Sequence, residues 1–511
     1  MSEWRRVAPS SDIQENEAFV FELSEDESVL LSRVGGKLTA CGNTCPHYSG
    51  PLGDGVVRDG KVVCPYHDSI FDLGQGTLLR TPSIDDLPVY DVKEEDGAVF
   101  IGERRDPEIT MPGGHDDRIV LIVGAGAAGG ACAETLRRDG FAGPITMITM
   151  EDEGPYDRPM LSKGLLSGDS PAKYLPLRPR AFYESLGITV VTNTTVARVI
   201  PERKEVETTD GTALTGDMIL LATGGVPRRL SIPGAELDGV FTLRSHRDAE
   251  RILEACENAG SVAILGASFI GMEVAAQLRM RELEITVVDP ASQPMIAAFG
   301  PEVGGWLRSV HEEQGVTFLL GRKPTEILGD GSARGVRLDD GSDIAADIIV
   351  MGVGVDPRVD YLTKTSLIDG DPASGVRVDN HLQTSTQGIY AAGDIAIYPA
   401  HDFECRVEHW VHAQEQGRHV AHAMLGDQSA YDQVPFFWSR QYKTTVKYAG
   451  YPRKYDRIEY DGRPGDGEFV ASYFMGDRMI GVACRGKGER FVELSEMLGT
   501  YATGDSRQAG F

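Results

Sequence analysis

Apolar residues in the first hundred positions come in short runs broken by turns. Phe19-Val20-Phe21-Glu22-Leu23, Ser28-Val29-Leu30-Leu31 and Lys61-Val62-Val63 are separated by Gly35-Gly36, Asp54-Gly55 and Asp59-Gly60. Brief runs rich in aromatic and β-branched residues predict strands, and the Asp-Gly pairs predict hairpin turns between them. Residues 1–107 therefore read as a small all-β domain. Residues 108–117 form a polar linker containing Pro-Gly-Gly-His-Asp-Asp. The pattern then changes. Ile119 to Val123 is wholly apolar, as in a strand buried on both faces, and it runs into glycines and an Ala-rich helix. A second strand follows at Ile145–Ile148. The same order recurs at Ser261–Leu265, a helix, and Ile285–Val288. From Val434 to Val482 short strands and glycine turns return.

The first strand of each pair in the middle region ends in a glycine turn. The first is Gly124-Ala-Gly126-Ala-Ala-Gly129, and its second strand leads to Glu151. Such glycines let a pyrophosphate approach a helix N-terminus, and the terminal acid accepts ribose hydroxyls. The second turn is Gly266-Ala-Ser268-Phe-Ile-Gly271, with Asp289 ending the next strand. Ser268 replaces the middle glycine and keeps a hydroxyl donor for phosphate. Asp289 is expected to bind a 2′-hydroxyl and repel a 2′-phosphate, which favours NADH over NADPH.

In the N-terminal region Cys45-Pro-His47 is followed, sixteen residues on, by Cys64-Pro-Tyr-His67. Two thiolates and two imidazoles on separate knuckles suit a Rieske cluster, in which cysteines hold one iron and histidines the other. A structural zinc ion is the competing reading, although zinc loops usually pair cysteine with cysteine and histidine with histidine along the chain.

Composition narrows the partners. Lys and Arg total 50 against 77 Asp and Glu, a net charge of −27. Such a surface repels nucleic acid and anionic membranes. No 18-residue apolar run marks a membrane span, and the N-terminus lacks the pattern of a secretory signal. The seven cysteines, at 41, 45, 64, 132, 256, 405 and 484, outside the knuckles are scattered. A disulfide framework is not expected, and a reducing cytoplasm is.

With Ser69-Ile-Phe71-Asp and Gly74-Gln-Gly76 behind the second knuckle, the N-terminal region resembles a soluble Rieske ferredoxin. It resembles the cytochrome-complex Rieske proteins less, since those carry a loop disulfide and a tyrosine where Phe71 stands. The resemblance implies a low potential within the Rieske range, with Ser69 as one remaining hydroxyl donor. The middle region, with Ala222-Thr223-Gly224 and Ile389-Tyr-Ala-Ala-Gly393-Asp394 completing its pattern, resembles the pyridine-nucleotide disulfide oxidoreductases. The only cysteine in the first flavin motif is Cys132, so no redox disulfide is expected beside a flavin. Instead Tyr156-Asp-Arg158-Pro-Met-Leu-Ser-Lys163 resembles a segment of oxygenase-coupled ferredoxin reductases and of apoptosis-inducing-factor-like proteins.

That resemblance implies a multidomain chain: an FAD-binding domain in two parts (118–245 and 363–430), an NAD-binding domain (246–362) and a C-terminal α+β domain (431–511). It implies that Lys163 lies near flavin N5, paired with Glu273. Arg158, Arg228, Gly393, Asp394, Glu408, Trp410 and Trp438 are then expected to hold FAD. The alternatives are a solvated lysine after a turn and a tryptophan belonging to the core. His409, His412 and His419 share a helical face and are read as packing rather than as a metal site. The basic set Lys163, Lys173, Arg178 and Arg180 is expected to lie near the flavin mouth. The activity implied is electron transfer from NADH through FAD to a fused Rieske 2Fe-2S cluster and an external acceptor such as an oxygenase, a cytochrome or a quinone. A monomer or homodimer is expected. The alternatives are an NADH-sensing flavoprotein with slow turnover and a zinc-stabilised flavoprotein oxidase.

Overall fold

The computed structural model describes residues 4–368, 370–400, 403–451 and 454–500. The outermost residues of the expected Rieske and C-terminal domains, 1–3 and 501–511, lie outside these. Two compact units form, one from the N-terminal region to Thr110 with Lys487–Glu496, the other built on Met111–Gly486.

The first unit holds two antiparallel sheets. The larger is ordered β1-β10-β9-β4-β3-β2, from Arg5–Pro9, Ala98–Arg105, Val89–Glu95, Lys37–Gly42, Ser28–Val34 and Phe19–Glu22. The smaller is β5-β6-β7-β8, from Val56–Arg58, Lys61–Val63, Ile70–Asp72 and Leu78–Arg80. Asp59 and Gly60 turn β5 into β6 with φ of 49° and 74°, the left-handed pair that a two-residue hairpin requires. Asp54-Gly55 departs from the hairpin expected there. Asp54 closes a single 3-10 turn and Gly55 has φ −87°. What constrains Gly55 is crowding, since a Cβ on it would sit 2.1 Å from the Val63 carbonyl oxygen.

The second unit contains two parallel five-stranded sheets. One runs β13-β12-β11 (Ile188–Val191, Ile145–Ile148, Val120–Val123), then Met218–Leu221 and Ile389–Ala391. Its central strands β11 and Met218–Leu221 are buried at every position, which explains their unbroken apolar sequence. The other sheet orders Val240–Phe241, Ile348–Met351, Ser261–Leu265, Glu284–Asp289 and Thr317–Leu320. The chain leaves the first sheet at Leu221, builds the second, and returns through Ile389–Ala391.

The helices in order are α1 (Ala127–Arg138), α2 (Arg180–Ser185), α3 (His246–Cys256), α4 (Phe269–Arg279), α5 (Ile296–Glu312), α6 (Trp410–Met424) and α7 (Gly488–Thr500). α1 and α6 cross closely because Gly417 has no side chain; a Cβ there would lie 2.2 Å from the Ala128 carbonyl oxygen. An antiparallel sheet of Phe436–Gln441, Thr444–Gly450, Arg478–Arg485, Phe469–Met475 and Arg457–Gly462 follows in that spatial order. No described helix is long and apolar enough to cross a membrane.

Candidate functional site

The two glycine turns fold alike. Gly124 and Gly266 have φ of 111° and 107° and lie against the carbonyls of Ala222 and Gly352, where a Cβ would be 2.2 and 2.4 Å from oxygen. Gly129 and Gly271 bring helix onto strand, and a Cβ on either would be 1.9 or 2.0 Å from the carbonyl oxygen of Gly124 or Gly266. At the middle position the copies differ. Gly126 faces open space, leaving its backbone free for an approaching phosphate. The Ser268 hydroxyl instead donates to the Gly352 carbonyl at 2.9 Å.

A cavity of about 890 Å³ joins these turns. It is lined by Gly124, Gly126, Glu151, Arg158, Lys163, Thr223, Ser268, Glu273, Gly393, Asp394, Glu408, Trp410 and Trp438 among the residues expected from sequence. Gly129, Gly266 and Gly271 act behind the lining, through the close contacts above. Asp289 also lies behind it; its carboxylate accepts from the amides of Ala267 at 2.6 Å and Ala291 at 2.7 Å, holding the second turn. Arg228 stands apart. It is half exposed and ion-paired with Asp356 at 2.6 Å, because it directly follows the strand Gly225–Pro227, which pairs with the one carrying that acid.

Charges along the cavity are fixed by pairing. Glu151 accepts from Arg158 at 2.8 Å and from the Tyr156 hydroxyl at 2.6 Å. Burial pushes its carboxyl up, but the neighbouring guanidinium and hydroxyl outweigh that and hold it below the usual range. Asp394 pairs with Arg244 at 2.8 Å, and Arg406 with Glu408 at 2.7 Å. Burial raises the Glu408 carboxyl, only partly offset by Arg406. Arg244 escaped the sequence reading. Its only signal is the capping box of Ser245 and Asp248 that starts α3, with Arg244 one residue before the cap. His409 lines the cavity at the start of α6, and burial lowers its imidazole to about 4. His412 is buried and meets the Tyr431 hydroxyl at 3.2 Å.

Lys163 sits on a π-helical turn, Leu161–Leu165, a local widening that recurs at functional sites. Its ammonium donates to Glu273 Oε2 at 2.8 Å and stands 5.9 Å from the centre of the Trp438 ring. Glu273, 1% exposed, also accepts from the hydroxyls of Ser162 at 2.5 Å and Ser439 at 2.8 Å. Among the basic set, Lys163 and Arg178 are largely buried, and Arg178 and Arg180 pair with Glu134 and Glu184. Lys173 is exposed, so only part of the set is free surface charge.

In the first unit the two knuckles share one hydrogen-bond frame. The Cys45 amide donates to the Gly50 carbonyl at 2.9 Å and the Ser49 amide to that of Cys45 at 3.0 Å. The Cys64 amide donates to the Ser69 carbonyl at 2.8 Å and the Asp68 amide to that of Cys64 at 3.2 Å. Ser49 and Asp68 take the left-handed conformation, φ 53° and 59°, at the same point of each loop. The cysteines are buried and hydrogen-bonded to each other, with the Ser69 hydroxyl on Cys45. The half-buried imidazoles bring their Nδ1 atoms to 3.1 Å. Among the described residues no three His, Cys, Asp or Glu side chains close on a single-ion site. The donors divide instead into a thiol pair and an imidazole pair, the division a Rieske cluster needs, so the four residues fit that group. The open glycine turn, helix N-terminus and cavity fit FAD on the same terms.

Comparison with known proteins agrees region by region. Residues 118–417 match the pyridine nucleotide-disulphide oxidoreductase family, 3–91 the Rieske [2Fe-2S] domain, and 436–510 the reductase C-terminal domain. Human apoptosis-inducing factor 3 is 34% identical over 92% of this chain and 80% of its own length. Rhodocoxin reductase of Rhodococcus erythropolis is 35% identical over 75% of this chain and 89% of its own. A ferredoxin reductase structure from Rhodopseudomonas palustris superposes with TM-score 0.72 at 32% identity, covering 75% of this chain and 95% of that one. With two nested nucleotide-binding sheets opening on one cavity and a cluster-binding region ahead of them, this chain belongs to the pyridine nucleotide-disulphide oxidoreductase family, as a ferredoxin-reductase-type flavoprotein that carries its own Rieske domain.

Proposed function

We propose that this protein oxidises NADH and delivers the electrons through bound FAD and its Rieske cluster to an external acceptor protein of the oxygenase or cytochrome type, in the cytoplasm. The observation that carries the reading is the single cavity lined by residues of both glycine turns, with the Lys163–Glu273 pair between them. Flavin supplies the conversion of a two-electron donation into single-electron steps. The protein's part is to hold the two nucleotides, keep a cation where negative charge develops, and exclude water. In this arrangement Gly124, Gly126, Glu151, Arg158, Thr223, Gly393 and Asp394 bind FAD, while the second nucleotide meets the turn at the Ser268 backbone, with Gly271 and Asp289 shaping that turn from behind. Asp289 supports NADH over NADPH, since its carboxylate ends the strand beside the second turn. The experiment is stopped-flow mixing with NADH under anaerobic conditions. Flavin absorbance should bleach first and the cluster second; cluster reduction ahead of flavin would overturn the order.

A second reading has one observation in its favour. A relative that spans 92% of this chain is an apoptosis-inducing factor. An NADH sensor would turn over slowly with every acceptor and change its oligomeric state on adding NADH, which sedimentation with and without NADH detects.

A further inference from the structure

Resting on the function proposed above, we infer that Ser439 and Gln441, on the first strand of the C-terminal sheet, are positioning residues for Lys163, acting through Glu273. A buried chain of donors runs one way through five side chains. The Tyr442 hydroxyl faces His311 Nδ1 at 3.5 Å, and His311 Nε2 meets Gln441 Oε1 at 2.8 Å. Gln441 Nε2 donates to the Ser439 hydroxyl at 3.2 Å and to the Met295 sulfur at 3.4 Å. Ser439 then donates to Glu273 Oε1 at 2.8 Å.

Each link fixes the next. The amide oxygen of Gln441 accepts, so His311 presents Nε2–H and is neutral with Nδ1 as acceptor. Burial lowers this imidazole to about 4, which agrees. With the amide NH₂ pointing at Ser439, the serine oxygen accepts and its only proton goes to Glu273. The carboxylate ends the chain on Oε1 and holds Lys163 and Ser162 on Oε2. His311, Gln441, Ser439 and Glu273 are each at most 2% exposed, so water cannot replace a missing link. Ser439 and Gln441 share one face of the strand with half-buried Phe437 and alternate with buried Phe436 and Trp438. That alternation carries the polar chain and the aromatic wall of the cavity on the same element.

Glu273 is thereby anchored from three directions: α4 by the backbone, the π-turn by Lys163, and the C-terminal sheet by Ser439. Removing the third lets the carboxylate rotate away, and Lys163 follows it. A hydrogen bond to a buried charged group is worth enough to slow turnover about tenfold when lost.

The test is a double-mutant cycle on holoenzyme, with NADH as donor and ferricyanide as acceptor. Ser439→Ala should lower kcat about tenfold and change the KM for NADH less than about twofold, because the lost interaction serves the transition state. Ser439→Thr, which restores the hydroxyl, should recover kcat. In a Lys163→Met background Ser439→Ala should add little, since both act through one group. Wild-type kcat in S439A, additive losses in the double variant, or no recovery in S439T at equal FAD content each overturns the proposal. Should S439A fail to fold, Gln441→Met leaves the Ser439 hydroxyl in place while removing its donor, along with the amide contacts to His311 and Met295, and should show the same non-additivity with K163M; full additivity there overturns the idea as well. Wild-type protein without NADH turnover would overturn the function proposed above instead, so the two failures are told apart.

Discussion

A carboxylate buried as deeply as Glu273 is stable only while it is paired and hydrogen-bonded, here by Lys163, Ser162 and Ser439. Lys163→Met removes its one positive partner and leaves two hydroxyls. We expect a loss of about 3 kcal/mol in unfolding free energy, the low end for breaking a buried pair, measured by denaturant titration. Flavin bleaching by NADH should slow at the same time. Buried histidines weaken the fold in acid. Burial lowers His311 and His409 to about 4 and His412 to about 3, from 6.5. Between pH 6.5 and 4 the unfolded chain binds protons that the folded chain refuses, so stability is intact above 6.5 and falls as pH drops through that window. Each group contributes on the order of a few kcal/mol. Melting temperature against pH should show the decline, and H311Q should make it shallower; a flat profile from pH 7 to 4 would contradict this. Lys163 and Glu273 were legible in sequence because each sits inside a dense local motif. Arg244 and Ser439 were not, because their partners Asp394 and Glu273 are 150 and 166 positions away. No local pattern records a pairing that only the tertiary fold creates.

At the level of elements, the glycine turns were the most readable feature, since a buried strand, a left-handed glycine and a tight helix approach all leave marks within a dozen residues. The readable part had limits even there. Asp54-Gly55 looked like hairpin chemistry, yet crowding by Val63 decided its conformation. Ser268 looked like a phosphate donor, yet its hydroxyl is spent on Gly352. Arg228 likewise turned out to be ion-paired with Asp356, and Asp289 also braces its own turn through the Ala267 amide, a second task that no pattern announced. The order of the C-terminal sheet, where the last strand inserts between the second and the fourth, left no local mark at all. The duplicated turns give a paired prediction. Gly129→Ala and Gly271→Ala each force a methyl into a carbonyl 1.9 or 2.0 Å away, costing about 1–3 kcal/mol as overpacking does. G129A should purify with reduced FAD, visible as a lower flavin-to-protein absorbance ratio. G271A should keep its FAD, because its turn belongs to the second sheet, and show slower NADH-driven bleaching, since Glu273 lies two residues along the same helix. Equal FAD loss in both variants would mean that the two turns do not serve separate nucleotides.

For the molecule as a whole, the donor sets divide between two units of different architecture. Cys45, His47, Cys64 and His67 belong to antiparallel sheets closed by one repeated loop frame. The cavity, with Lys163, Glu273 and both glycine turns, belongs wholly to the other unit. Covalent fusion raises the effective concentration of one redox group at the other to about millimolar, as a short linker does. It also means that the two kinds of chemistry can be removed one at a time. Cys64→Ser deletes one of the two buried thiols. A hydroxyl does not replace thiolate on iron, so the low-temperature electron paramagnetic resonance signal of a reduced Rieske centre should vanish and iron content should fall towards zero. NADH should still bleach the flavin, because none of the cavity's lining comes from the first unit. Reduction of a protein acceptor should drop at least about tenfold if the cluster is the exit, since every electron must then leave the flavin directly. The decisive comparison is between acceptors in the same preparation. Ferricyanide reads the flavin step, while a one-electron carrier such as cytochrome c reads the exit. If C64S loses cluster and keeps full rates with both, electrons do not leave through the N-terminal unit, and that domain would have to serve as something other than a conduit.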